Sequence, residues 1–155
     1  MNELQPLMTL LGQAETERDE ALGHSQRLDA AHRAAQAQAD QLLDYRRDYE
    51  ARWSDHFSRQ AKIELLHCYP GFIQRLTLAI EQQARVATQA GSQAAVGLAA
   101  LNEAEMRVAS VRKLIERRVG EQRQREERHE QKQTDEFAAR VAWQRLSNFG
   151  SLSAR

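Results

Sequence analysis

Asp40, Asp44 and Asp48 stand four residues apart, so on a helix they share one face. Aligned carboxylates of that kind are what a magnesium site would draw on. Arg46 and Arg47 stand among them, however, and the row reads instead as a solvated charged face. A second set, His56, His67 and Cys68, has the ligand chemistry for zinc. Structural zinc needs four converging ligands, usually in short-spaced pairs, and no second pair accompanies these three. They read as loop residues, with Cys68 expected to be a small buried hydrophobe. His24, His32 and His129 are too scattered to form a site. No segment resembles a glycine-rich phosphate loop, and no serine lies in a nucleophile-elbow context. The expectation is a protein that is not an enzyme and has no metal site and no cofactor.

Another grouping remains. Tyr45, Tyr49 and Trp53 are spaced by four in the mostly charged stretch DQLLDYRRDYEARW, which puts three rings on one helical face. Such a face either pads the core or is offered to a partner.

The elements that position these rings follow from composition and period. Of 155 residues, 41% are hydrophobic but only 6% aromatic, and many of the rest are alanine, so a thick globular core is out of reach. Two prolines and seven glycines leave too little turn chemistry for a sheet protein. The 22 basic and 22 acidic residues are interleaved, without the one-signed basic face that phosphate neutralisation requires, so no nucleic-acid binding is expected. Nor does any stretch approach the roughly 20 apolar residues of a membrane-spanning helix. The start, MNELQPLMTLLGQAE, lacks a basic region before an apolar run, and no signal peptide is expected. One cysteine precludes an internal disulfide. These features predict a soluble, cytoplasmic chain.

Counting in sevens exposes two seams. Ile73, Ile80, Ala87, Ala94, Leu101, Val108 and Ile115 recur at a seven-residue period, accompanied three residues later by Leu76, Gln83, Ala90, Gly97, Ala104 and Val111. In the first half, Leu7, Ala14, Ala21, Leu28, Ala35, Leu42 and Tyr49 form one row; Leu11, Arg18, Ser25, His32, Ala39, Arg46 and Trp53 form a second, half-polar one. Sustained a/d rows of this kind specify a coiled coil with a left-handed supercoil. Between the seams lies SDHFSRQAKIELLHCYPG. Pro70 disfavours helix at Tyr69 and suits the first turn of a new helix. The predicted fold is all-α, an elongated two-helix antiparallel coiled-coil hairpin forming a single domain over residues 1–155. Helix one is placed at about 3–57, the bend within 56–71, helix two at about 70–147, and a frayed tail after it. Those lengths correspond to roughly 80 Å and roughly 115 Å. Helix two should therefore overhang the start of helix one, and its seam indeed fails there, at Gln122, His129 and Glu136. Pairs such as Glu103 with Arg107 and Glu121 with Arg125 would support the helix.

With that frame in place, QLLDYRRDYE, YPGFIQRLTLAIEQQ and QKQTDEFAARVA, in that order, resemble the FliJ family of flagellar export proteins. The resemblance covers nearly the whole chain. It implies an antiparallel coiled coil like the stalk of rotary ATPases, with helix ends inserting into the hexameric export ATPase FliI. It implies further partners in the export gate protein FlhA and in export chaperones. The protein would then be cytoplasmic, peripheral at the inner face of the membrane when docked, and a monomer when isolated. An injectisome stalk protein and a generic coiled-coil scaffold, for instance a parallel dimer unbroken at Pro70, are the alternatives. By resemblance, the gate-contacting surface falls on Gln38, Leu42, Tyr45 and Tyr49 and on Phe72, Leu76, Ala79 and Gln83. The last position is commonly histidine in the family, and Gln83 departs from it. Leu42, Tyr49 and Leu76 thus belong both to the seam and to the stripe, a conflict eased if Leu43 and Ile73 face further inward. The ATPase end is expected to combine Leu7, Leu10 and Leu11 with Phe137, Val141 and Leu146.

Overall fold

The computed structural model describes residues 3–59 and 63–153. They form two helices, α1 (Leu4–Arg59) and α2 (Ile63–Leu152). Residues 60–62, part of the segment 56–71 in which the bend was expected, lie outside the described residues. No described helix is long and apolar enough to cross a membrane.

Two compact units emerge, one of residues 13–108 and one of residues 1–12 with 109–155. In the first, α1 and α2 run antiparallel. Ascending α2, Phe72 meets Tyr49, Gln83 reaches Ala35 and Gln38, and Arg107 reaches Glu17. Gly91 lies against His32, and Gly97 against Leu28 and Ser25, at intermediate steps of the same progression. A parallel pairing would make both sets of numbers rise together.

The heptad rows are the packed faces. Ala14, Ala35, Ala39, Leu76, Ala87, Leu101, Ala104 and Val108 are buried, and the remaining seam positions of the unit are at least half-buried. Even the polar row of α1 turns inward: Ser25 is buried and Arg18, His32 and Arg46 are half-buried. Glycine explains how such residues fit. A Cβ at Gly91 would stand 3.0 Å from His32 Nε2, and one at Gly97 only 2.7 Å from Leu28 Cδ1. The bare backbone of α2 makes room for the larger side chains opposite.

In the second unit, burial on α1 falls on Leu4, Leu7 and Leu11, and on α2 at Val111, Ile115 and Val141. From residue 116 to residue 140 every side chain of α2 is exposed, Gln122, His129 and Glu136 among them. This polar segment is supported along its own axis by Arg123–Glu127 at 3.2 Å and by the hydrogen bond that Gln131 Nε2 donates to Asp135 Oδ1. Within the unit of residues 13–108, Arg107 bonds across to Glu17 at 3.4 Å, where an intrahelical pairing with Glu103 was expected.

The boundaries differ from the expectation. Helix two does not start near residue 70: it begins at Ile63 and carries Pro70 inside it. Proline there cannot donate the helical bond to residue 66, a cost of about 3 kcal/mol in a helix interior. Tertiary contacts offset that cost, because Tyr69 and Phe72 on either side of the proline both pack on α1 rings. At the far end, α2 continues through Gly150 to Leu152, past the expected stop at 147.

Candidate functional site

The aromatic face of α1 meets an aromatic face of α2. Tyr45, Tyr49 and Trp53 follow one another at four-residue steps, with ring centroids 6.3 Å apart for the first pair and 5.9 Å for the second. From α2, Phe72 comes within 4.5 Å of Tyr49, and Tyr69 stacks on it at 5.9 Å with an interplanar angle of 7°. Tyr69 also packs on Trp53 at 5.0 Å. Tyr49 is therefore the hub, touching all four other rings. These separations lie in the range where offset and edge-on ring pairs attract.

Burial is graded across this cluster. Tyr49, Trp53, Tyr69 and Phe72 are half-buried, whereas Tyr45 is 52% exposed. Tyrosine tolerates such a position because its ring is apolar and its hydroxyl is satisfied by water. Sequence reasoning placed Trp53 beside the tyrosines but assigned neither Trp53 nor Tyr69 to the site. Tyr69 was obscured by the expectation that Pro70 begins the helix, which left its neighbour outside any face.

The eight residues of the gate stripe divide between seam and surface. Leu76 is buried and Leu42 half-buried, so both belong to the seam. Gln38, Tyr45 and Ala79 are exposed. Gln83 is half-buried, and its Nε2 donates to Ala35 O and to Gln38 Oε1, each at 3.2 Å. That amide ties α2 to α1 and holds Gln38 in place on the rim. The suggestion that Leu43 faces inward is wrong: Leu43 is 41% exposed, though Ile73 is half-buried. With a seven-residue period the seam already takes Leu42 and Arg46, and Leu43 is carried past it.

The other expected cluster is not assembled. Leu7 and Leu11 are half-buried and Leu10 exposed, whereas Phe137 and Leu146 are 69% and 71% exposed; Val141 is half-buried. Burial on α2 at the level of Leu7 and Leu11 belongs to Val111 and Ile115, and Phe137 stands roughly 33 Å further along the same helix. Leu7 and Leu11 are occupied in packing. The distal residues, with Trp143, Phe149 and Leu152 each more than 70% exposed, form a separate apolar segment.

Of the zinc candidates, His56 is exposed, Cys68 is free and exposed rather than buried, and the His67 side chain lies outside those described. Among the described residues no His, Cys, Asp or Glu group gathers to hold a metal. Asp44 pairs with Arg47 at 3.8 Å and Asp40 accepts from Gln36, as a solvated charged face would.

Residues 3–147 match the family model described as Flagellar FliJ protein. No match was found among curated proteins or among solved structures.

Proposed function

We propose, starting from the fact that the chain belongs to the FliJ family of flagellar export proteins, that it is a stalk-like subunit linking the export ATPase FliI to the export gate FlhA. The family is a non-catalytic part of the export apparatus, and the finer roles are read onto this chain as follows. The aromatic cluster near the bend is the gate-docking surface. The apolar segment of residues 137–152 is the end that enters the ATPase ring. Export chaperones are further partners.

The observation that carries the gate assignment is the exposure of Tyr45 on a cluster otherwise at least half-buried. Among the described residues Tyr45 has a single ring partner, at 6.3 Å, and contributes little to the fold, yet that partner is the hub on which the other rings converge. Preorganised aromatic residues of that kind serve as interface anchors, because little side-chain entropy is lost when a partner covers them. Exposure of Gln38 and Ala79 on the same stripe extends the surface along both helices.

Titration calorimetry of the purified chain against the cytoplasmic region of an FlhA gate tests the reading. Tyr45→Ala should weaken binding at least tenfold with unchanged helicity. Binding that is indifferent to Tyr45→Ala would refute the assignment of the patch.

A further inference from the structure

The seven-residue period that built the seam also orders its flank. Stepping back from Tyr45 on α1 by sevens gives Gln38, Ala31 and His24, all exposed. Stepping forward from Phe72 on α2 gives Ala79, Val86, Gln93 and Ala100, again all exposed. The next steps are Glu17 and Arg107, and these two bond across the helices at 3.4 Å. That ion pair shows that the two rows border the same side of the seam. It is also where carboxylates and guanidinium groups first appear: apart from the imidazole of His24, neither row holds an ionisable side chain between the aromatic cluster and this pair.

The neutrality extends beyond the row. Residues 86–102 contain no charged side chain, in a chain of which 28% is charged. On this flank the surface is hollowed into an open groove of about 580 Å³ bordered by His24, Leu28, Gln93, Val96, Gly97 and Ala100. Gly97 opens it, since any side chain there would meet Leu28, and Val96 stands on its lip at 70% exposure.

From this continuity we infer that the docking surface extends beyond the aromatic cluster along this flank to the Glu17–Arg107 pair, and that the groove receives an amphipathic helix of the same partner, presenting an uncharged face of small and aliphatic residues. The inference rests on the reading of the aromatic patch as the gate-docking surface. Three features choose the occupant. The strip from Phe72 to Ala100 follows one helix for roughly 40 Å, the dimension of a helix lying alongside rather than of a loop or a small molecule. It is neutral and apolar, so a charged face laid on it would lose hydration without gaining a partner. It also follows a helix pair whose flank offers the ridge-and-groove relief that an added helix fills.

The experiment compares substitutions on exposed positions of the two flanks, which leave the seam intact. Val96→Glu charges the proposed surface; Leu98→Glu, at 52% exposure on the other side of Gly97, charges a comparable position outside it. Each variant, with Tyr45→Ala, is titrated against the FlhA cytoplasmic region, alongside circular dichroism and sedimentation velocity. The expected result is a loss of affinity of tenfold or more for Val96→Glu and less than threefold for Leu98→Glu, with helicity unchanged in both. If Tyr45→Ala weakens binding while Val96→Glu binds as wild type, the patch stands and its extension is overturned. If Val96→Glu weakens binding and Tyr45→Ala does not, the patch reading fails and the inference of an extended surface, which rests on it, falls with it. Wild-type chain that does not bind the gate region overturns both. A wild-type dimer that Val96→Glu converts to monomer overturns the inference in favour of a second copy in the groove.

Discussion

Replacing Tyr49 with alanine removes the ring on which the other four converge, and the expected cost follows from the geometry. A fully buried aromatic truncated to alanine costs about 3–5 kcal/mol. Tyr49 is half-buried, which scales that to about 2 kcal/mol, and its contact with Phe72 at 4.5 Å adds about 0.5–1.5 kcal/mol. The total is about 2–4 kcal/mol, corresponding to a Tm lower by roughly 4–16 °C for a chain of this size. Tyr45 differs in both respects: it is 52% exposed and its one ring neighbour among the described residues lies at 6.3 Å. Alanine is also the better helix former, which returns about half a kcal/mol. Tyr45→Ala should therefore cost less than about 1 kcal/mol. Thermal melts followed by circular dichroism give the ranking, and gate binding of the same two variants gives the other half: Tyr45→Ala should lose affinity at nearly native stability. Combining Tyr45→Ala with Phe72→Ala would not separate docking from folding, because Phe72 packs on the hub. Equal destabilisation by Tyr45→Ala and Tyr49→Ala would refute the distinction between platform and anchor.

Other expectations follow from the helices. Val108→Asp puts an unpaired carboxylate at a position only 2% exposed and should cost several kcal/mol, measured by denaturant unfolding; unchanged stability would disprove the seam. At Gly120 nothing lies within 4 Å of an added Cβ, so Gly120→Ala should raise stability by about 0.5–1 kcal/mol through helix propensity. Gly97→Leu should do the reverse, since a Cβ alone already stands 2.7 Å from Leu28 Cδ1; a melt showing equal gains at both glycines would contradict the close approach. Deleting residues from Phe137 onward removes, among the described residues, only side chains exposed or half-buried, so the melt of the remaining chain should be unchanged. Stimulation of FliI ATP hydrolysis should then be lost, and its survival would show that the distal segment is not the ring-entering end.

How much of this was legible in the sequence depends on whether one side chain or several decide a feature. Each seam is a vote of many positions at a fixed period, so Arg18, His32 and Arg46 could be polar and the rows still point inward. The start of α2 depended on Pro70 alone, whose local preference was outweighed by ring contacts that no local rule contains. Leu43 is a similar case: its composition says core, but the period, which counts more, carries it to the surface. The candidate site was half legible for the same reason. Spacing placed Tyr45, Tyr49 and Trp53 on one face, but which ring is hub and which is free depends on what α2 brings opposite. That required the antiparallel register, and once the register is set, Tyr69 and Phe72 cover Tyr49 while Tyr45 stays open. The groove at Gly97 was hidden for a related reason, since a glycine in an a/d row reads as a weak seam position. Set against Leu28 and Ser25, the missing side chain is what lets the helices approach and hollows the flank beside them.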